Sequence, residues 1–306
     1  MPPRLRTALS AVLIALACLL VPFGALAAWA SYGLADTGRY VTTMAPLAAD
    51  PAVREAVAET VGDGILRQVD TGDAMPGTVR PFVQDAVRSF TQTRAFRVAW
   101  NTGNRVTHDA VLRALRGRSG PAGPVTVDLA PVTARVKQQL TEDHVPLAAR
   151  IPVEHTAVAV LPAGELARFR KGFHVLEVAG FWLPVAAVAF AATGIAVAVH
   201  RRRAIAATAL GTALGGALLG LALTLGRSLT LADLPADVPH PAVGAVYDAL
   251  TATLRTASWL LLALGLTVAA VAWVSRYLRR GGTGRALPES AAPAPAPAQA
   301  PTRVRA

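Results

Sequence analysis

The sequence predicts an all-α membrane protein with four transmembrane helices and a mainly helical extracytoplasmic domain that includes a short two-stranded ribbon. Three observations lead there. The 306-residue chain is 53% hydrophobic and only 16% charged, more apolar than a soluble domain of that length and suited to a chain partly solvated by lipid. Two uncharged runs, Phe181–Val199 and Ala204–Gly226, each hold about the 20 residues that cross a hydrocarbon core of roughly 30 Å, and only His200-Arg201-Arg202-Arg203 divides them. A third and a fourth apolar run, near the two ends of the chain, complete the set.

Arg201, Arg202 and Arg203 set the orientation, because short loops rich in Lys and Arg stay cytoplasmic. The predicted division is then 1–10 cytoplasmic, 11–30 the first span, 31–179 the extracytoplasmic domain, 180–199 the second span and 200–203 the cytoplasmic loop. It continues with 204–226 the third span, 227–256 an extracytoplasmic loop and amphipathic helix, 257–275 the fourth span and 276–306 a cytoplasmic tail. The net charge of +11 sorts accordingly: residues 31–179 and 227–256 hold 19 Lys/Arg and 18 Asp/Glu, and the rest holds 11 Lys/Arg and one acid, Glu289. The excess therefore lies in short cytoplasmic pieces beside anionic lipid, which removes nucleic acid as a partner.

In chain order, Arg4 and Arg6 precede an apolar stretch from Ala8 to Ala30. It competes with a signal peptide cleaved after Ala25-Leu26-Ala27 or Ala28-Trp29-Ala30. The stretch exceeds the usual 7–15-residue apolar region and ends on Trp29 and Tyr32, which suit a membrane interface, so an uncleaved anchor is the preferred reading. Cys18, the single cysteine, lies inside it. No intramolecular disulfide exists, and the exported domain rests on core packing.

Asp36-Thr37 caps a helix through Met44, and Asp50-Pro51 supplies an N-cap and an N1 proline for a helix to Val69, with Val53, Val57, Val61, Ile65 and Leu66 as its apolar stripe. Thr71–Gly77 reads as a polar turn. Pro81 opens a third helix with Phe82, Val83, Ala86, Val87 and Phe90 on one face, and a fourth runs from Arg94 to Arg116. The Gly/Pro cluster Ser119–Pro124 breaks the helical pattern. Val125–Val127 and Thr156–Leu161 are β-prone and flank a helix capped by Asp128, so they are expected to pair. A helix starting at Gly164-Glu165 runs on into the second span. Arg227–His240 reads as a proline-bearing loop, and Val243–Thr256 as an amphipathic helix lying on the membrane surface before the chain bends into the last span. The Ala/Pro repeats of Ala291–Gln299 belong to a tail expected to be disordered.

Ala35-Asp36-Thr37-Gly38-Arg39-Tyr40-Val41 followed by Met44-Ala45-Pro46-Leu47-Ala48-Ala49-Asp50-Pro51-Ala52-Val53, with Val127-Asp128-Leu129, Trp182-Leu183-Pro184 and Val246-Tyr247-Asp248-Ala249-Leu250, resembles a group of actinobacterial integral membrane proteins of uncharacterised function. The resemblance covers most of the chain apart from its termini. It implies the topology and a plasma-membrane location, and carries no catalytic residues.

Searched for chemistry, the sequence shows no Gly-x-Ser-x-Gly, His-Glu-x-x-His or Walker pattern. His108, His144, His155 and His174 lack ligand spacing, so neither metal nor cofactor is expected. Glu55/Glu59 and Glu142-Asp143-His144 read as solvated helix surface, and the expectation is a protein that is not an enzyme. Gly211/Gly215 and Gly216/Gly220 are small-xxx-small pairs that permit close helix approach, first within the chain and second between copies. Arg94, Arg97, Arg113 and Arg116 are the candidate contacts to an anionic polymer or protein of the envelope. The expected partners are thus the lipid bilayer, an envelope component and a second copy. The alternatives are an oligomeric channel or transporter component, and a mechanotransmission-type permease subunit, for which inner segments of about ten and four residues leave an ATPase little to grip.

Overall fold

The computed structural model describes residues 2–69, 79–117, 125–161, 163–236 and 238–282. The predicted turn at 71–77, the break at 119–124 and the tail beyond 282 lie outside them. Among the described residues the chain is all-α apart from one ribbon. The helices are α1 (Pro3–Ala28), α2 (Thr37–Met44), α3 (Pro51–Val69), α4 (Val79–Thr91), α5 (Arg94–Arg116), α6 (Ala130–Glu142), α7 (Ala163–Val197), α8 (Arg201–Ala232) and α9 (His240–Gly282). Four of them, α1 with its extension to Leu34, α7, α8 and α9, are long and apolar enough to cross a membrane.

These four stand in a row. α1 packs along α7, α8 along α9, and α1 joins the two pairs through α8. α7 runs without a break from the head into its apolar half, although Pro184 lies inside it. Proline removes one helical hydrogen bond and crowds the preceding turn; α1 accommodates the site with Gly24, where a Cβ would stand 3.2 Å from the Pro184 nitrogen.

The head comprises α2–α6 and the antiparallel ribbon of β1 (Val125–Asp128) and β2 (Ala157–Leu161), in which Val127 faces Val158 and Asp128 faces Ala157. The predicted caps at Asp36 and Asp50 form, Asp36 accepting from the Arg39 amide and Asp50 from Ala52 and Val53; Asp128 accepts from Ala130 with Leu129 in the N-cap position, and Thr93, which was not predicted, accepts from Phe96. These bonds satisfy amide donors that a helix start leaves orphaned.

Five expectations need correction. α8 does not stop at Gly226 but continues to Ala232, and Arg227 is helical. α9 is one continuous helix from His240 to Gly282, unbroken at Ala257. Its stripe is not laid on a membrane surface: Ala242, Val246 and Leu250 close a core with Met44, Leu47, Val53 and Trp100 of the head, while Leu254 packs on Leu219 and Leu223 of α8. Amphipathicity fixes that a face is buried but not against what. In α3 the buried line turns off the valine stripe to Val53, Ala58, Gly62 and Leu66, leaving Val61 and Ile65 exposed. Gly62, without a side chain, lets Gln84 of α4 come close, and α4 packs there. α4 in turn buries Val87 and leaves Phe82 74% exposed.

Candidate functional site at the junction of head and apolar helices

The junction begins where α1 widens. Trp29–Leu34 is a π-helical turn, sealed by a bond from the Ala35 amide to the Ala30 carbonyl. Such turns offset side chains from the regular helical face and often occur at functional sites. Here the turn lays Trp29 against α9, where its Nε1 donates to the Leu250 carbonyl at 3.1 Å, and delivers Asp36 to cap α2.

Behind α2 lies a polar cluster. Thr37 Oγ1 donates to Asp109 Oδ1 at 2.5 Å and stands 3.1 Å from His108 Nδ1. The hydroxyl's one proton goes to the carboxylate, and His108 Nδ1 stands within hydrogen-bond reach of the same oxygen, its role set by the ring's tautomer. Tyr40 stacks on the His108 ring with centroids 4.1 Å apart and donates to Asn104. Arg116 donates to the Ala35 carbonyl, pairs with Glu177 of α7 at 3.6 Å and lies over the Phe173 ring. The cluster ties α2, α5 and α7 together. A serine-type dyad would need the histidine to receive the hydroxyl proton, and here that proton points to Asp109.

Burial pushes the His108 pKa below its ordinary value of 6.5, with Arg116 acting the same way and the Leu34 carbonyl, Asp109 and Asp36 opposing. The unfolded chain therefore binds the proton more readily than the folded one. Stability is full above the ordinary histidine pKa and is lost as pH falls from there through the lower folded value. Thermal unfolding between about pH 7.5 and about pH 5.5 should show this loss, and His108→Asn, which keeps a hydrogen-bonding group near Thr37 without a titrating ring, should flatten it.

In front of α2 a cleft of about 740 Å³ opens between the π turn, α2 and α9, lined by Trp29, Tyr32, Arg39, Tyr40, Leu250 and Thr253 among others. Thr42 and Thr43 donate back to carbonyls of their own helix. The Arg39 guanidinium is exposed and makes no ion pair among the described residues. An aromatic wall with the Arg39 cation and the Asp36 carboxylate, both in the lining, suits an amphiphile with a polar end.

The residues singled out in sequence separate into three places. Arg201, Arg202 and Arg203 form the exposed first turn of α8. Positive charge there opposes the helix dipole, so helix stability does not account for it. Gly211 and Gly215 face α1, at Cys18 and at Pro22 respectively, whereas Gly216 and Gly220 face Ser258 on α9. The two pairs thus serve two different seams of one chain. Gly265 of α9 is the tightest contact of the second seam and was missed; a Cβ on it would stand 2.5 Å from the Ala209 carbonyl oxygen. Its signal was available as Gly265 and Ala269, four residues apart.

Arg94, Arg97, Arg113 and Arg116 do not converge. The two pairs lie at opposite ends of α5, about 28 Å apart at 1.5 Å per residue. Arg116 is engaged at the junction, Arg113 Nε donates to the Asp109 carbonyl, and Arg94 and Arg97 are exposed. Glu55 does not act with Glu59: Arg88 of α4 binds both its oxygens, and that hydrogen bonding holds its carboxyl below the usual range. His155 pairs with Asp128 at 2.6 Å, His144 sits in the left-handed turn after α6, and among the described residues no group of three or more His, Cys, Asp or Glu converges as metal ligands.

Compared with protein-family models, with curated proteins and with solved structures, the chain matches none of them. Among the described residues, the class the fold defines is an all-α protein with four helices able to cross a membrane and a head packed on their ends.

Proposed function

We propose that this is a non-catalytic integral protein of the plasma membrane whose extracytoplasmic head binds or scaffolds a partner in the cell envelope. The observation that carries the reading is the bracing of the head. Trp29 holds the π turn to α9, Arg116 holds α5 to α7, and α9 contributes part of the head's core. A head so fixed presents its free faces in constant orientation, as a scaffold requires. One such face is the α3–α4 hairpin: in the half remote from α9 it exposes Ile65 at 40% and Phe82 at 74%, and exposed apolar side chains commonly mark interaction surfaces. The resemblance to actinobacterial membrane proteins agrees with this location, as does the arginine turn, which suits a cytoplasmic surface rich in anionic lipid.

Two experiments test the proposal. Photo-crosslinking in living cells from Phe82, Arg97 and Arg113 should capture one discrete envelope partner, most strongly from Phe82. Adducts to the protein alone would favour a homo-oligomer and sink the scaffold reading. For sidedness, Cys18→Ala is first introduced; it adds no bulk against Gly211. A cysteine placed at Ser119 should then react with an impermeant maleimide in intact cells and one at Ser290 should not. The opposite labelling would invert the topology.

A further inference from the structure

On the opposite side of α9's upper half from the head core, a second cleft, of about 730 Å³, opens between α8 and α9. At its top Arg227 Nε donates to both oxygens of Asp248, at 3.1 and 3.2 Å, and Arg255 Nη2 donates to Oδ1 at 2.8 Å. Two guanidinium groups share one carboxylate, so the cluster carries a surplus positive charge. Each guanidinium has five N–H donors, and Asp248 engages few of them. Below the cluster the walls turn apolar, formed by Ala217, Leu221, Trp259 and Leu262 with Gly220 at the seam.

Depth decides what such a cleft faces. Arg227 follows Arg203 by 24 residues, about 36 Å along a helix, against a hydrocarbon core of roughly 30 Å. With the arginine turn at one boundary, the Arg227–Asp248–Arg255 cluster lies at the other, and the apolar walls descend from it into the core. We propose that this cleft holds one anionic phospholipid, its phosphate on Arg227 and Arg255 and an acyl chain along Ala217, Leu221 and Leu262. Charge complementarity selects the headgroup, because the one surplus positive charge of the cluster at the boundary favours an anionic over a zwitterionic lipid. The inference rests on the four helices crossing a bilayer and is independent of any partner of the head. It gives Tyr247-Asp248 a role: Tyr247 donates to the Leu223 carbonyl and so sets the α8–α9 spacing at which Asp248 reaches both arginines.

The test is native mass spectrometry and thermal unfolding of the full-length protein in detergent with phosphatidylglycerol, phosphatidylcholine or inorganic phosphate added. The expected result is a single phosphatidylglycerol adduct with a raised melting temperature, and neither with phosphatidylcholine or phosphate. Arg255→Gln, which leaves Asp248 paired with Arg227, should weaken the adduct about tenfold. Ala217→Trp fills the lower cleft from an exposed position and should abolish the adduct while the protein stays folded. Equal retention of phosphatidylcholine, equal stabilisation by phosphate, an unchanged adduct in both variants, or a dimer that forms in place of the lipid adduct would each overturn it. Fractionation of the unmutated protein with membranes, on the same preparation, tests the bilayer reading separately.

Discussion

Gly265→Ala should destabilise the apolar helices by about 3 kcal/mol, the upper end of the usual range for overpacking a close-packed seam. The added Cβ would stand 2.5 Å from the Ala209 carbonyl oxygen and 2.6 Å from the Ala213 amide nitrogen. Both are backbone atoms of α8 and cannot turn aside as a flexible side chain would. Gly216→Ala should behave similarly, with 2.8 Å to the Leu262 nitrogen and the Ser258 oxygen, and Gly215→Leu should disrupt folding by driving its side chain at Pro22. Gly220→Ala is the control: its Cβ would sit 3.5 Å from the Ser258 hydroxyl, an ordinary contact, with a cost within about 0.5 kcal/mol. Thermal unfolding in detergent followed by size exclusion reads all four, and equal stability of Gly265→Ala and Gly220→Ala would refute the seam.

Trp100→Ala should cost the head about 3 kcal/mol, the low end of the range for truncating a core tryptophan because the ring is half-buried. Two effects combine. The ring packs on the cluster of Met44, Leu47 and Val53 and against Phe96, centroid to centroid 6.2 Å. Its Nε1 also donates to the Met44 carbonyl at 2.8 Å, one of the acceptors left over where α2 ends. Trp100→Phe separates the two, since it keeps most of the packing and loses the bond, at about 1 kcal/mol. A Phe variant as unstable as the Ala variant would mean that the hydrogen bond, and not the packing, dominates.

What the sequence makes legible follows from how local the signal is. The caps at Asp36, Asp50 and Asp128 need only a short polar side chain and the next turn, so α2 and α3 start where expected and α6 one residue later. The β-prone runs each sit beside a cap or a turn, and their pairing follows. The arginine turn and the length of each apolar run are likewise local quantities. The errors arise where a residue's fate depends on distant chain. The stripe of Val243–Leu254 has the composition of a membrane-surface helix, and only Met44, Val53 and Trp100, far away in sequence, reveal that it faces the head. Val61 and Phe82 look like core residues until Gly62 turns α3 onto α4. At the candidate site, Asp36, Thr37, Arg39 and Tyr40 were visible as a motif, but the motif does not say that His108 stacks on Tyr40 or that Trp29 reaches Leu250.

Because Ala242, Val246 and Leu250 complete the head's core, the order of synthesis leaves that core open for a time. Residues 31–161 emerge first, and the α9 segment that closes them emerges some 80–90 residues later. At translation rates of about 5–20 residues per second, the half-finished head waits on the order of 4–18 s with Met44, Leu47 and Trp100 uncovered. During that interval the chain depends on whatever else can shield apolar surface, an attending chaperone or the membrane itself. A head expressed without α9 would remain in that state indefinitely.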